Sequence, residues 1–159
     1  MQKETYIEIE KKFLVTEDFK NHIKSSHKIV QGYLSHDPKR TVRVRIIDEK
    51  GFLNIKGETT SGGIKRFEWE KSIPKNEAEM LLGLCSGYIV DKTRHLIDYV
   101  GHLFEVDEFH GENKGLVVAE IELSTVDELF EKPQWLGLEV SHDIRYYNSE
   151  LSITPYLHW

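Results

Sequence analysis

The sequence predicts a mainly β domain of the α+β class, in which about eight antiparallel strands with flanking helices close into a barrel around a charged interior. Three observations lead there. Segments of strand length alternate apolar and charged residues, so each has one apolar and one charged face. They are joined by short turns or by helical stretches of roughly ten residues, too short for further domains. The charges are also sorted by sign from strand to strand, whereas a face made for solubility would mix them. A curved sheet with helices on one side and an ordinary charged surface fits the first two observations equally well. The third favours an enclosed polar cavity, and closing the sheet removes its bare edges.

The first strand spans residues 6–15, with Ile7, Ile9, Lys11 and Phe13 on one side and Glu8, Glu10 and Lys12 on the other. Thr16-Glu17-Asp18-Phe19 has the form of a helix start, with Thr16 as cap and acids in the first turn. Phe19 and Ile23 then share a face of a short helix ending near Ser25-Ser26. Residues 28–36 form the next strand, closed by the turn signal Asp37-Pro38. In residues 41–46, Val42, Val44 and Ile46 oppose Arg43 and Arg45. A turn at Glu49-Lys50-Gly51 leads to residues 52–56, where Lys56 opposes Leu53 and Ile55. A flexible turn from Thr59 to Gly63 then leads to residues 66–70, where Arg66, Glu68 and Glu70 oppose Phe67 and Trp69.

Pro74 opens a second helix at its favoured first-turn position; Ala78, Leu81, Leu82 and Cys85 give it an apolar face, and Gly87 ends it. Lys92 and Arg94 are in phase on residues 90–95, Glu105 and Asp107 on residues 102–107, and Glu120 and Glu122 on residues 117–123. Thr125-Val126-Asp127-Glu128 is a capping box that opens a short helix through Phe130. The tail carries a helix around residues 146–151, limited by Pro155. Tyr33, Phe52 and Asn54 are candidates for inward packing or polar fill, Trp69 and Trp135 for the core or helix docking.

At 159 residues the chain fits a single domain, 1–159, able to bury its own core. It holds 39% hydrophobic and 30% charged residues, which suits a folded soluble domain, and no apolar run approaches the roughly 18–20 residues of a membrane helix. Met1-Gln2-Lys3-Glu4 gives no apolar signal-peptide core, and the lone Cys85 allows no intrachain disulfide. A cytoplasmic location is therefore expected. The net charge of −6 argues against a nucleic-acid or acidic-membrane partner, though not against a local cationic pocket. The eight histidines are scattered, and none pairs with Cys85 at zinc-ligand spacing. An apolar outer barrel face is compatible with a homodimer.

Like charges two residues apart along a strand lie about 7 Å from one another and repel unless a ligand lies between them. Clustered carboxylates suit hard divalent cations such as Mg²⁺ or Mn²⁺. Paired arginines and lysines suit phosphate oxygens. A cavity that holds both suits a metal–polyphosphate complex.

The pattern Glu8-x-Glu10-x-Lys12 resembles the E-x-E-x-K signature of the CYTH superfamily, the triphosphate tunnel metalloenzymes. Arg43-x-Arg45, Lys56, Glu68-x-Glu70, Lys92-x-Arg94, Asp107 and Glu120-x-Glu122 follow in that family's order, over about residues 6–123. The resemblance implies an eight-stranded antiparallel barrel forming a charged tunnel, a small triphosphate substrate, and Mg²⁺ or Mn²⁺. It implies that Lys12, Arg43, Arg45, Lys56, Lys92 and Arg94, with Arg66 beside them, hold the triphosphate. Glu8, Glu10, Glu120 and Glu122 would bind metal, with Asp107, Glu68 and Glu70 completing the acidic side. Glu105 has no counterpart in the pattern and is expected to pair with a cation. In some smaller members the C-terminal segment covers one tunnel mouth, and the same is expected here.

No Ser-His-Asp set or Cys-His pair is present, so no covalent intermediate is suggested. The expected reaction is metal-assisted hydrolysis of inorganic tripolyphosphate, with Lys92 and Glu70 as catalytic candidates: Lys92 as proton donor to the leaving group, Glu70 among the carboxylates that position water. The alternatives are adenylate cyclisation or thiamine triphosphate hydrolysis in the same tunnel, or a non-catalytic sensor of polyphosphate or nucleotides.

Overall fold

The computed structural model describes residues 6–159, so the expected polar run Met1–Glu4 lies outside the described residues. Strands β1 (Ile7–Val15), β2 (Ser25–Ser35), β3 (Arg40–Ile47), β4 (Lys50–Gly57), β5 (Lys65–Ile73), β6 (Ser86–Tyr99), β7 (His102–Phe109) and β8 (Val117–Glu122) are joined edge to edge. The order is β5-β4-β3-β2-β6-β7-β8-β1, and a further pairing of β5 with β1 closes it. Every pairing is antiparallel. The result is the expected eight-stranded barrel. A ninth strand, β9 (Leu136–Glu139), not foreseen from the sequence, pairs with the end of β1 through Phe13 and Val15.

Alternation decides which side chains go where. On β1, Ile9 and Phe13 face outward into a cluster with Phe104, Val106, Ala119, Ile121, Leu123 and Trp135, while Glu8, Glu10 and Lys12 face the interior. The outer cluster is covered by irregular chain rather than by helices. Phe19 and Ile23 pack onto it from the segment between β1 and β2, and Val126 and Phe130 from the segment after β8.

Both of those segments depart from the expected helices. After β1 there is only a 3-10 turn at Lys20–His22, whose Lys20 N–H donates to Asp18 Oδ1 at 2.9 Å. Ile23 is already extended, because β2 begins at Ser25 and pairs with β6 from its first residue. The capping box at Thr125 forms a turn, with Glu128 N–H donating to Thr125 O at 3.3 Å. The Glu128 carboxylate accepts from Ser124 N–H and binds His102 instead of continuing a helix.

Helix α1 (Lys75–Leu82) follows Pro74 as expected, but Gly83 ends it and Gly87 lies within β6. Its Ala78 sits over Gly51, where an added Cβ would come within 2.9 Å of the Ala78 Cβ. The β3–β4 turn lies at Asp48-Glu49, slightly earlier than expected. Asp48 adopts φ 52°, and its carboxylate accepts from Lys28 N–H and the His27 ring.

The strand directions put the ends of β1, β2, β4 and β7 and the starts of β3, β5, β6 and β8 at one rim of the barrel. The C-terminal segment returns to that rim and carries a short helix, α2 (Asn148–Leu151), within the range expected from the sequence. Leu151 is fully buried among Val90, Phe109, Leu116 and Val118. Trp135 is buried in the outer cluster; Trp69 is half-buried. No helix among the described residues is long and apolar enough to cross a membrane.

Candidate active site

The barrel encloses a cavity of about 440 Å³. Its lining among the described residues includes six cations, Lys12, Arg43, Arg45, Lys56, Arg66 and Arg94, and seven carboxylates, Glu8, Glu10, Glu68, Glu70, Glu105, Glu120 and Glu122. Near-equal numbers of opposite charges in one space can stay ionised only by pairing or by binding ligands.

Much of the lining is paired. Lys56 Nζ donates to both oxygens of Glu8, at 2.9 and 3.2 Å, and lies 3.4 Å from Glu68. Lys12 Nζ reaches Glu10 at 2.8 Å and Glu120 at 3.3 Å. Burial would push Lys12 down, but these two carboxylates outweigh it and hold its ammonium above the usual lysine range. Arg45 donates to Glu70 at 2.9 Å, and Asn54 Nδ2 supports the same carboxylate at 3.2 Å. Burial, with Arg43 and Arg94 nearby, lowers Arg45 to about 10, which still leaves it charged at neutral pH. Arg94 pairs with Glu105, the partner expected for that acid.

Arg43 stands apart. It is 7% exposed, its Nε has no hydrogen-bond partner, and no carboxylate lies within ion-pair distance of it among the described residues. Burial alone would lower it, but Tyr33, Glu70 and Glu8 act from farther off and leave it raised. A buried guanidinium on a cavity wall with no direct counter-ion is a site prepared for an anion.

Lys92 and Asp107 do not reach the cavity wall. Both are essentially inaccessible and lie behind it, with Lys92 Nζ 2.8 Å from Asp107. Asp107 in turn binds Arg94 through two parallel hydrogen bonds of 2.8 Å. Burial lowers Lys92 to about 8, partly offset by Asp107. Asp107 is held below the usual carboxylate range by Arg94 and Lys92 despite its burial. Lys92, expected as proton donor, and Asp107, expected on the acidic side, thus stand one layer behind the lining residues. Asp107 thereby links Lys92 to Arg94.

The acidic wall is formed by β1, β8 and β7, where Glu10 stands opposite Glu122 and Glu105 opposite Glu120. Burial and the charge of Glu120 raise Glu10; burial first, and then Glu120 and Asp107 against the pull of Arg94, raises Glu105. Glu120, pulled down by Lys12 and Arg94, stays ionised. These oxygens suit a hard cation; at Glu10 and Glu105 the raised affinity for protons comes first from burial and then from neighbouring carboxylates. No three of the described carboxylates already converge as a ready-made cation site. Lys12 and Arg94 lie among them.

The wall residues not foreseen include Tyr147, Asn148 and Ser149, from the C-terminal segment, and Thr41 on β3. Tyr33 and Asn54 do face the cavity, whereas Phe52 is not among the lining residues. At the far end, His27, Ile29, Ile47 and Leu96 make a less polar mouth. The phase of β2 places Ile29, Gln31 and Tyr33 on one face, and the polar Gln31 within that run was the available signal.

The CYTH domain model matches residues 6–152 of this sequence. The chain belongs to the CYTH domain family. It is 47% identical over 150 residues to an inorganic triphosphatase of Acetivibrio thermocellus, covering 94% of this chain and 95% of that protein. An inorganic triphosphatase of Nitrosomonas europaea is 36% identical over 154 residues, covering 92% and 97%. Among solved structures, an inorganic triphosphatase superposes with a TM-score of 0.67 at 33% identity, over 92% of this chain and 94% of that one. A Hippeastrum protein described as an adenylyl cyclase with a dominant triphosphatase activity shares the fold, with a TM-score of 0.60 at 16% identity, over 74% and 80%.

Proposed function

We infer that this CYTH protein is a metal-dependent triphosphatase that hydrolyses inorganic tripolyphosphate in its barrel cavity. Two relatives, at 47% and 36% identity over nearly the whole chain, are named inorganic triphosphatases. The observation that carries the reading is Arg43, a buried guanidinium without a direct counter-ion among the described residues, on the wall of a cavity that five further described cations line. A triphosphate chain supplies the missing anion.

In this reading Arg43, Arg45, Lys56 and Arg94 grip the phosphoryl oxygens, with Lys12 and Arg66 towards the covered end. Charge that develops on the transferring phosphoryl group and the leaving oxygen is met by donors already held in place, so catalysis is mainly positioning and electrostatics. Glu10, Glu120 and Glu122, with Glu8 beside Glu10 on β1, would hold Mg²⁺ or Mn²⁺. Bound there, the cation would neutralise charge on the chain and polarise a phosphoryl oxygen. Glu70, anchored by Arg45 and Asn54 and a third exposed, is placed to orient the attacking water. Lys92 acts through Asp107, which fixes the fork of Arg94.

The test is phosphate release from tripolyphosphate, ATP and thiamine triphosphate, with Mg²⁺ or Mn²⁺. Rapid release from tripolyphosphate, lost with EDTA, is expected. Cyclic AMP and pyrophosphate from ATP would move the assignment to a cyclase; tight binding of tripolyphosphate without turnover would leave a sensor.

A further inference from the structure

The motif residues all lie on the barrel strands, yet three of the cations are held by a segment that follows them. The ring of Tyr147 faces two at once, with Lys12 Nζ 5.7 Å and the Arg66 guanidinium carbon 6.0 Å from its centroid. Its hydroxyl donates to Ser141 O at 3.2 Å, at the edge of the rim. The next residue, Asn148, uses one side-chain oxygen for two partners. Its Oδ1 accepts from Lys92 Nζ and from Gln31 Nε2, each at 2.9 Å. Lys92 is thereby fully engaged, by Asp107, by Asn148 and by the Phe109 ring at 5.4 Å.

We propose that Tyr147 and Asn148 are positioning residues of the active site, setting Lys12 and Arg66 through one aromatic face and Lys92 through one amide oxygen. The proposal rests on the reading that the tunnel cations grip the substrate. A barrel strand fixes the backbone of a lysine but not the end of its four-carbon stem, which keeps its rotamers unless something holds the ammonium. Carboxylates alone hold Lys12 in the middle of the acidic wall; the Tyr147 ring gives it a second, uncharged neighbour at the covered end. Asn148 does the same for Lys92, whose hold on Asp107 keeps the Arg94 fork in register. Since the charges survive without these neighbours, substrate attraction should persist while the geometry needed in the transition state is lost.

The experiment combines kinetics with reaction of each lysine towards an acetylating reagent, read by mass spectrometry. In the wild-type protein, Lys12 and Lys92 should label at least roughly tenfold more slowly than the exposed Lys24. Tyr147→Leu should speed labelling of Lys12, and Asn148→Leu that of Lys92, each without changing Lys24. Both should lower kcat for tripolyphosphate roughly tenfold with a smaller change in KM. Tyr147→Phe keeps the ring face and should retain near wild-type kcat and labelling. Unchanged labelling and kcat in the two leucine variants, or a loss in Tyr147→Phe equal to that in Tyr147→Leu, overturns the proposal. Should the leucine variants fail to fold, the wild-type protein still decides: labelling of Lys92 as fast as Lys24 overturns it. The selective labelling without phosphate release from any triphosphate would uphold the positioning and sink the triphosphatase reading.

Discussion

Replacing Arg43 by methionine separates binding from folding, because the two charges compared below differ in what they touch. Among the described residues Arg43 has no direct ion pair and its Nε has no partner, so the substitution breaks no ion pair there and keeps much of the aliphatic stem. The longer-range pull of Tyr33, Glu70 and Glu8 is only partly offset by burial and by repulsion from Arg94. The expected change in unfolding free energy is within about 1 kcal/mol of zero. Lys56→Met is the contrast. Lys56 and Glu8 are 7% and 6% exposed and 2.9 Å apart, a gross attraction of about 6 kcal/mol at an effective dielectric of about 20, much of it cancelled by desolvation. Removing the lysine leaves a buried carboxylate with Arg66, at 3.8 Å, as its remaining cation among the described residues, and should cost about 3–5 kcal/mol. For a chain of this size that lowers Tm by roughly 10 °C. Both variants should lose activity on tripolyphosphate, Arg43→Met by about 2–4 kcal/mol of transition-state stabilisation, or roughly 30- to 1000-fold. Thermal unfolding monitored by circular dichroism, alongside phosphate release, measures both. A destabilisation of Arg43→Met as large as that of Lys56→Met would refute the reasoning, as would an Arg43→Met enzyme with full activity.

Arg94→Lys keeps the charge but not the two-pronged grip on Asp107, and should lower kcat/KM roughly a hundredfold while the protein stays folded; a smaller-than-threefold loss would contradict the bracing role. His95 is kept below its usual pKa by burial, with Nδ1 bound to Ser26 Oγ at 2.7 Å and Nε2 without a partner. Its neutral form suits the fold, so stability should be highest above about pH 6.5 and decline as pH falls through the lower folded pKa. In urea titrations from pH 7.5 to 5, His95→Phe, which keeps a ring against Phe19, should flatten that decline, and an unaltered slope would count against it. Gly63 adopts φ 91°, and an added Cβ would collide with Ser141 O and come within 2.6 Å of the Tyr147 hydroxyl. Gly63→Ala should therefore destabilise by about 2 kcal/mol and also reduce kcat by disturbing Tyr147, whereas wild-type Tm and kcat would show that the rim yields easily.

The barrel and most of its lining were legible in the sequence because strand alternation has a period of two. Once Glu8, Arg43, Lys56 and Glu120 share the charged phase of their strands, a closed sheet brings them together regardless of loop detail. What the period does not encode is depth. Lys92 is in phase with Arg94, yet the cavity wall runs in front of it, since Asn148 fills the space at its tip. The helix starts at Thr16 and Thr125 were sound local signals. They lost to tertiary demands, an early β2 in one case and the pull of His102 and Ser124 on Glu128 in the other. The tail was expected as a cover, but the contacts of Tyr147 with Lys12 and Arg66 and of Asn148 with Lys92 and Gln31 carried no signal, because those residues are more than fifty positions away in sequence and are met only once the tail has docked.

The central claim is that one cavity holds both the triphosphate and its cation, and a crystal structure with Mn²⁺ and a non-hydrolysable imidotriphosphate tests it most directly. The account predicts an anomalous manganese peak among Glu10, Glu120 and Glu122, with phosphoryl oxygens within hydrogen-bonding distance of Arg43. Triphosphate bound on the outer face of the barrel, or in the cavity with Arg43 still lacking an anionic partner, would contradict it.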